Sequence, residues 1–125
     1  MKLVSDILVA LVALQHVFFL VLEMFLWTRP FGLKVFRNTP EQAETMKVLA
    51  ANQGLYNGFL AAGLLWSLLA AGADASFDLK LFFLCCVLVA AVFGGCSVSR
   101  RILVIQGLPA ALALLAVIAF ANPYL

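Results

Sequence analysis

The stretch ANQGLYNGFLAAG, residues 51–63, places four hydrogen-bonding side chains inside an apolar run long enough to cross a bilayer. The four belong to Asn52, Gln53, Tyr56 and Asn57. At the α-helical rotation they fall within about 140° of one another and form one continuous stripe. An unpaired polar group in hydrocarbon is costly, so the stripe must face protein or enclosed water. The stretch therefore predicts a membrane helix with one polar face.

The composition of the whole chain also indicates a membrane protein. Of its 125 residues, 66% are hydrophobic and 11% are charged, and the mean hydropathy of +1.12 is far above that of soluble domains. Four segments reach the length of about 20 residues that a membrane-spanning helix needs. We predict an all-α fold, a single transmembrane domain over residues 1–125 that forms a four-helix bundle. The predicted helices cover about residues 4–28, 40–71, 79–99 and 102–121.

The basic residues predict how this bundle is oriented, because cytoplasmic loops are enriched in Lys and Arg. Two of the eight, Lys2 and Lys80, lie on one side of the predicted membrane. The other six lie on the opposite side: Arg29, Lys34, Arg37, Lys47, Arg100 and Arg101. We therefore expect loops one and three in the cytoplasm and both termini outside, in the plasma (inner) membrane. The basic residues favour anionic lipid, and nothing in the pattern indicates nucleic acid.

Two local signals refine the helices. In TPEQ, residues 39–42, Thr39 can cap a helix that has Pro40 at its first position and Gln42 completing a capping box. Pro109 falls inside the predicted fourth helix, where it removes the donor that the carbonyl of Ile105 would normally use. We therefore expect a helix start at residue 40 and a kink beside Gln106.

The polar stripe has counterparts on other predicted helices. In helix one, His16 and Glu23 are seven residues apart and project within about 20° of each other. Depth measured from the cytoplasmic ends puts Glu23 near Asn52 and Gln53, and His16 near the other two stripe residues. We therefore predict a polar ligand-binding or proton site in the cytoplasmic half of the bundle. Its expected members are His16, Glu23, Asn52, Gln53, Tyr56, Asn57 and Gln106, with Arg100 and Arg101 at its mouth and Gly54 and Gly58 as helix-packing positions.

Glu23 is the most informative of these residues, because an isolated carboxylate in lipid must either take up a proton or find a partner. Ionisable groups inside a membrane commonly mark functional sites. The structural alternative is a hydrogen-bonded acid, or an end-of-helix side chain that reaches toward the headgroups. The stripe amides likewise have an alternative role as interhelical hydrogen bonds.

The three cysteines do not indicate a metal or redox site. Cys85, Cys86 and Cys96 all fall in the predicted third helix, without a C-x-x-C spacing and with a single His in the chain. We expect them to serve as small buried hydrophobic residues, and we expect no metal and no cofactor.

Three segments together resemble a known family. They are LQHVFFLVLEMFLW, LAANQGLYNGFLAAG and SRRILVIQGLPA, at residues 14–27, 49–63 and 99–110. They are similar to the small membrane proteins of domain-of-unknown-function family 1304. The resemblance implies a four-helix membrane bundle but no activity. It also implies that these residues fall on a recurring pattern: Glu23, Asn52, Gln53, Tyr56, Asn57, Gln106 and Pro109. Family members often have Glu directly before the His, where this chain has Gln15, which argues against a mechanism with two carboxylates on helix one.

Three functions are compatible with these residues. In the first, the protein binds or carries a small solute, with proton coupling through Glu23 as one form of the mechanism. In the second, it is a membrane enzyme for a lipid-soluble substrate, with Glu23 or His16 as general acid or base. In the third, it is a structural or partner-binding subunit, or a homo-oligomer, whose polar layer fixes helix register. The sequence shows neither an activated nucleophile nor a nucleotide-binding glycine motif, which disfavours the enzyme.

Overall fold

The computed structural model describes residues 1–125 and is all-helical, with 85% of the chain in helices and no strand. It contains five helices rather than the four predicted. They are α1 (Lys2–Met24), α2 (Pro30–Phe36), α3 (Pro40–Leu69), α4 (Ala73–Ser97) and α5 (Arg100–Phe120). The all-α class is thus confirmed, and the chain has one helix more than predicted, the seven-residue α2.

The additional helix, α2, lies in the segment that we predicted to be the first loop. Pro30 is at its first position, where the fixed φ of proline favours a helical start and its missing N–H is not needed. The helix ends at Arg37, which has a left-handed φ of 56° and donates its backbone N–H to the carbonyl of Leu33. Gly32 is buried in this short helix, whereas Phe31 and Lys34 are exposed. A basic and aromatic surface of this kind suits the membrane interface.

Three helices, α1, α4 and α5, are long and apolar enough to cross a membrane. This supports a membrane protein. Helix α3 is the longest, at 30 residues, but it is not one of the three. The amides of Asn52, Gln53 and Asn57 lower the hydropathy of its uncharged part.

The start of α3 shows the predicted capping box. The backbone N–H of Thr39 donates to Gln42 Oε1 at 2.9 Å, and the backbone N–H of Gln42 donates to Thr39 Oγ1 at 3.2 Å. Each residue thereby satisfies a backbone donor that the helix cannot pair internally. The cap fixes the residue at which α3 begins.

Helix α5 is disturbed near the predicted position. Residues Leu103–Gly107 form a π-helical turn, and regular α-helix resumes at Leu108. The turn ends two residues before Pro109, which has no N–H to donate to the carbonyl four residues earlier. A wider turn is one of the recognised ways in which a helix accommodates such a break.

The chain forms two compact units. The first comprises Met1–Ala13 and Ala62–Leu125, and the second comprises Leu14–Ala61. The first unit is built on buried side chains that include Val9, Leu64 and Leu84. In the second, Leu22, Ala43 and Ala50 are buried.

Candidate functional site

The second unit contains a buried acid with one neutral partner. Glu23, in the last turn of α1, is 9% exposed. Asn57, in the middle of α3, donates from Nδ2 to Glu23 Oε1 at 2.6 Å. No other hydrogen bond and no ion pair within the chain reaches this carboxyl group. The second oxygen, Oε2, therefore remains able to accept from a ligand.

Glu23 also lines a cleft of about 350 Å³. The other residues around this cleft are Met24, Phe25, Trp27, Thr28, Lys47, Val48 and Ala51. Lys47 is the cation of the set, and its ammonium group pairs with Glu44 one turn earlier on α3. The walls are therefore largely apolar, with one buried carboxyl group and one lysine whose charge is offset nearby.

Trp27 holds one wall of this cleft in place. Its indole Nε1–H donates to the carbonyl of Ala43 at 3.0 Å. Its ring packs on Phe36 with a centroid separation of 4.6 Å. These contacts attach the chain after α1 to the start of α3 and to the end of α2. A buried indole N–H commonly needs such a partner, so the wall is positioned by a specific hydrogen bond.

Glycines let the surrounding segments approach closely. A Cβ at Gly54 would lie 2.7 Å from Met24 Cγ and 3.1 Å from Glu23 Cβ. A Cβ at Gly58 would lie 2.6 Å from Leu20 Cδ1. Both positions of the predicted packing ridge therefore lie against α1. At Gly32 a Cβ would lie 1.8 Å from the carbonyl oxygen of Leu26, so no side chain fits there without backbone movement.

Most of the predicted polar stripe is not enclosed. Asn52, Gln53 and Tyr56 are exposed, and only Asn57 is half-buried. The reason is helical geometry: α1 lies on the side of α3 marked by Gly54, and Asn52 is about 160° away from it around the axis. The prediction that all four side chains line one enclosed cavity is therefore wrong for the single chain.

The remaining predicted site residues fall in different places. His16 is completely buried, two turns before Glu23 on α1, and its ring meets Phe19 edge-on at a centroid distance of 5.3 Å. Gln106 lies in the π-helical turn of the first unit and is half-buried. Arg100 and Arg101 begin α5 and are exposed, and the backbone N–H of Arg101 is capped by Ser99 Oγ at 3.2 Å.

The cysteines also differ from expectation. Cys85 and Cys96 are exposed on α4 and Cys86 is half-buried, so the prediction of three buried residues is wrong. All three are free thiols. No group of three or more His, Cys, Asp or Glu side chains is arranged to hold a metal ion.

Sequence reasoning missed an ionic cluster in the first unit. Lys80, which is 1% exposed, donates to Asp6 Oδ1 at 2.5 Å, and the exposed Lys2 donates to Asp6 Oδ2 at 2.7 Å. In the sequence, Lys2 and Lys80 indicate only the orientation of the helices. A signal was available: Asp6 and Lys80 are charged residues near the same predicted membrane surface, in two different apolar helices. A buried ammonium group requires a partner.

Comparison with known proteins identifies the family but not an activity. The sequence profile of a family described as protein of unknown function (DUF1304) matches residues 10–118. The chain is also similar to uncharacterized protein YpaA of Lactococcus lactis subsp. lactis (strain IL1403). The two are 29% identical over 117 residues, which cover 92% of this chain and 97% of YpaA. No solved structure shows a significant match. The chain belongs to the DUF1304 family.

Proposed function

We propose that this DUF1304 protein binds a small cationic or hydrogen-bond-donating solute at the carboxyl group of Glu23. The observation that carries the proposal is the pairing of this acid: it is 9% exposed, accepts one hydrogen bond from Asn57, and forms no ion pair, while Lys47 of the same cleft pairs with Glu44. A carboxylate with a single neutral partner still lacks charge compensation. A bound cation supplies that compensation.

The cleft defines the shape of such a solute. Trp27, Met24 and Phe25 give it apolar and aromatic walls beside the acid. An organic ammonium ion with a small apolar body would place its charge on Glu23 and its carbon atoms against these side chains. An aromatic wall adds a favourable interaction with a cation. We propose the same carboxyl group as a proton site, where the proton of the acid and the cation of the solute occupy Glu23 in turn.

The proposed arrangement in the membrane makes α3 a fourth crossing, so that the chain forms a four-helix transmembrane bundle. In support, the 22 residues from Val48 to Leu69 contain no charge and exceed the length of about 20 residues that a crossing needs. The proposal keeps both termini outside and places Glu23 toward the cytoplasmic end of α1. Binding to Glu23 would then take place from the cytoplasmic side.

Native mass spectrometry of protein released from mild detergent tests the binding site. We expect a defined small-molecule adduct on the wild type that is lost in Glu23→Gln. The matched control is Glu41→Gln, which makes the same substitution on an exposed residue of α3 and should retain the adduct. Bare protein in all three samples, even after addition of excess benzylammonium, would contradict the proposal.

A further inference from the structure

A second surface of α3 follows the spacing of a helix–helix seam. Thr45, Val48, Asn52, Leu55 and Phe59 are separated by alternating steps of three and four residues. All five are exposed, with Val48 at 75%, Leu55 at 42% and Phe59 at 56%. A repeat of about 3.5 residues is the pattern by which two helices pack along their length. We call these five residues the α3 seam.

Asn52 is the polar centre of this seam. Its side chain is exposed and makes no hydrogen bond within the chain. It lies five residues beyond Lys47, the last charged residue of α3. An amide at that depth faces lipid unless protein covers it, and an uncovered amide in hydrocarbon is costly. The seam therefore requires a partner that supplies both a donor and an acceptor.

We propose that a second copy of this chain covers the α3 seam, and that the Asn52 side chains of the two copies hydrogen-bond to each other. An amide is both donor and acceptor, so two such groups related by a two-fold axis satisfy one another without any further residue. A buried asparagine at this position of a 3.5-residue repeat is also a known means of fixing helix register.

The composition of the seam supports a copy of the same chain over a different protein. Its residues carry no charge, so the seam does not need a partner with a charged surface. Val48, Leu55 and Phe59 flank the amide with apolar surface that packs equally well against itself. Asn52, the polar centre of the seam, lies about 160° from Gly54 around α3, whereas Val48 is shared between the seam and the Glu23 cleft.

Dilution of fluorescently labelled protein in liposomes, followed by energy transfer between copies, tests the proposal. We expect wild-type protein to associate, and Asn52→Leu to weaken association by about 3- to 20-fold, the range expected for one interhelical polar contact in a membrane.

A matched pair of variants keeps the test valid if Asn52→Leu does not fold. Phe59→Ala removes an exposed seam residue and should weaken association. Phe18→Ala removes a comparably exposed phenylalanine of α1, at 48%, and should not. The proposal is overturned by monomeric wild-type protein at the highest density, or by equal effects of seam and control variants. Co-purification of a different protein that Asn52→Leu releases would also overturn it.

Discussion

Helix α1 carries two carboxyl groups near its opposite ends, and their partners differ in kind. Asp6 is held by two ammonium groups, Lys2 at 2.7 Å and Lys80 at 2.5 Å. Glu23 is held by one amide, that of Asn57, at 2.6 Å. An acid with cations on both oxygens is electrically satisfied and stabilises the fold. An acid with one neutral partner is available for binding. The comparison teaches that burial of a carboxyl group does not identify a site until its partners are known.

The largest expected effect on stability comes from removing the carboxyl group of Asp6. Asp6→Leu leaves Lys80 buried without its partner and should lower the free energy of unfolding by about 3 kcal/mol. Unfolding in mixed micelles with increasing SDS measures the change. Lys2→Met, which removes the exposed lysine of the same cluster, should cost less than about 1 kcal/mol. If Asp6→Leu combined with Lys80→Met does not recover most of the loss, the pair is not the cause.

The second expected effect comes from disturbing the packing around Glu23. Gly54→Ala introduces a Cβ against Met24, Glu23 and the backbone carbonyl of Leu20 at 3.2 Å. Overpacking of this kind should lower the free energy of unfolding by about 2 kcal/mol. The same micelle titration measures it, with Ala62→Gly, at an exposed position of α3, as the control for a change in helix propensity. An unchanged stability in Gly54→Ala would show that α1 and α3 are not closely packed at Glu23.

The third effect removes the neutral partner. Asn57→Leu leaves the Glu23 carboxyl group without its hydrogen bond and should destabilise the protein by about 1 kcal/mol. Asn52→Leu makes the same substitution at an amide with no bond inside the chain. Measured under conditions where copies are separated, Asn52→Leu should have little effect. Equal losses of stability in the two variants would show that the hydrogen bond of Asn57 to Glu23 does not stabilise the fold.

A smaller change in stability is expected when the carboxyl group of Glu23 is replaced by an amide. Glu23→Gln keeps a side chain of the same shape and an oxygen that can accept from Asn57. Because no cation loses its partner, the free energy of unfolding should change by less than about 1 kcal/mol. Asp6→Asn should cost clearly more in the same titration. A large loss in Glu23→Gln would assign that acid a structural role and weaken the proposed binding site.

The smallest effect concerns an exposed carboxylate, that of Asp78, which serves as a reference for the half-buried Asp6 and the buried Glu23. The hydroxyl of Tyr124 lies 3.1 Å from both oxygens of Asp78. Partial burial of the phenol and the adjacent carboxylate raise the pKa of Tyr124 above its ordinary value. This contact is therefore present at neutral pH and is lost as rising pH ionises the phenol. Asp78→Asn should lower the pKa of Tyr124, measured by absorbance of the phenolate, and an unchanged titration would contradict the contact.

The sequence predicted the helices where local chemistry determines them. Thr39 and Gln42 fix the start of α3 through their own side chains, and Pro109 disturbs α5 through its own missing donor. Helix α2 differs from the predicted loop because its sequence resembles an interfacial segment. Pro30 favours its start, and its contacts with Leu26 and Trp27 add support that the sequence does not show. Local signals therefore predicted the all-α fold class but not the number of helices.

The candidate site was predicted in part for a related reason. The link between Glu23 and Asn57 depends on which side of α3 meets α1, and a stripe about 140° wide cannot all face one neighbouring helix. The ion pair of Asp6 and Lys80 joins residues 74 positions apart, so no local spacing could show it. Periodicity predicted which polar residues share a side of a helix, whereas packing determines which of them have partners.

The π-helical turn at Leu103–Gly107 changes which residues lie on the same side of α5. A turn closed by i→i+5 bonds contains one residue more than an α-turn, which corresponds to about 100° of rotation. Residues before and after it are therefore out of phase with a uniform 3.6-residue repeat. Arg101 and Leu108 are seven positions apart but do not share a side of the helix. Deleting one residue from the turn would convert it to an α-turn and restore the uniform repeat, while the terminal segment, Leu108–Phe120, keeps the surface that it presents now.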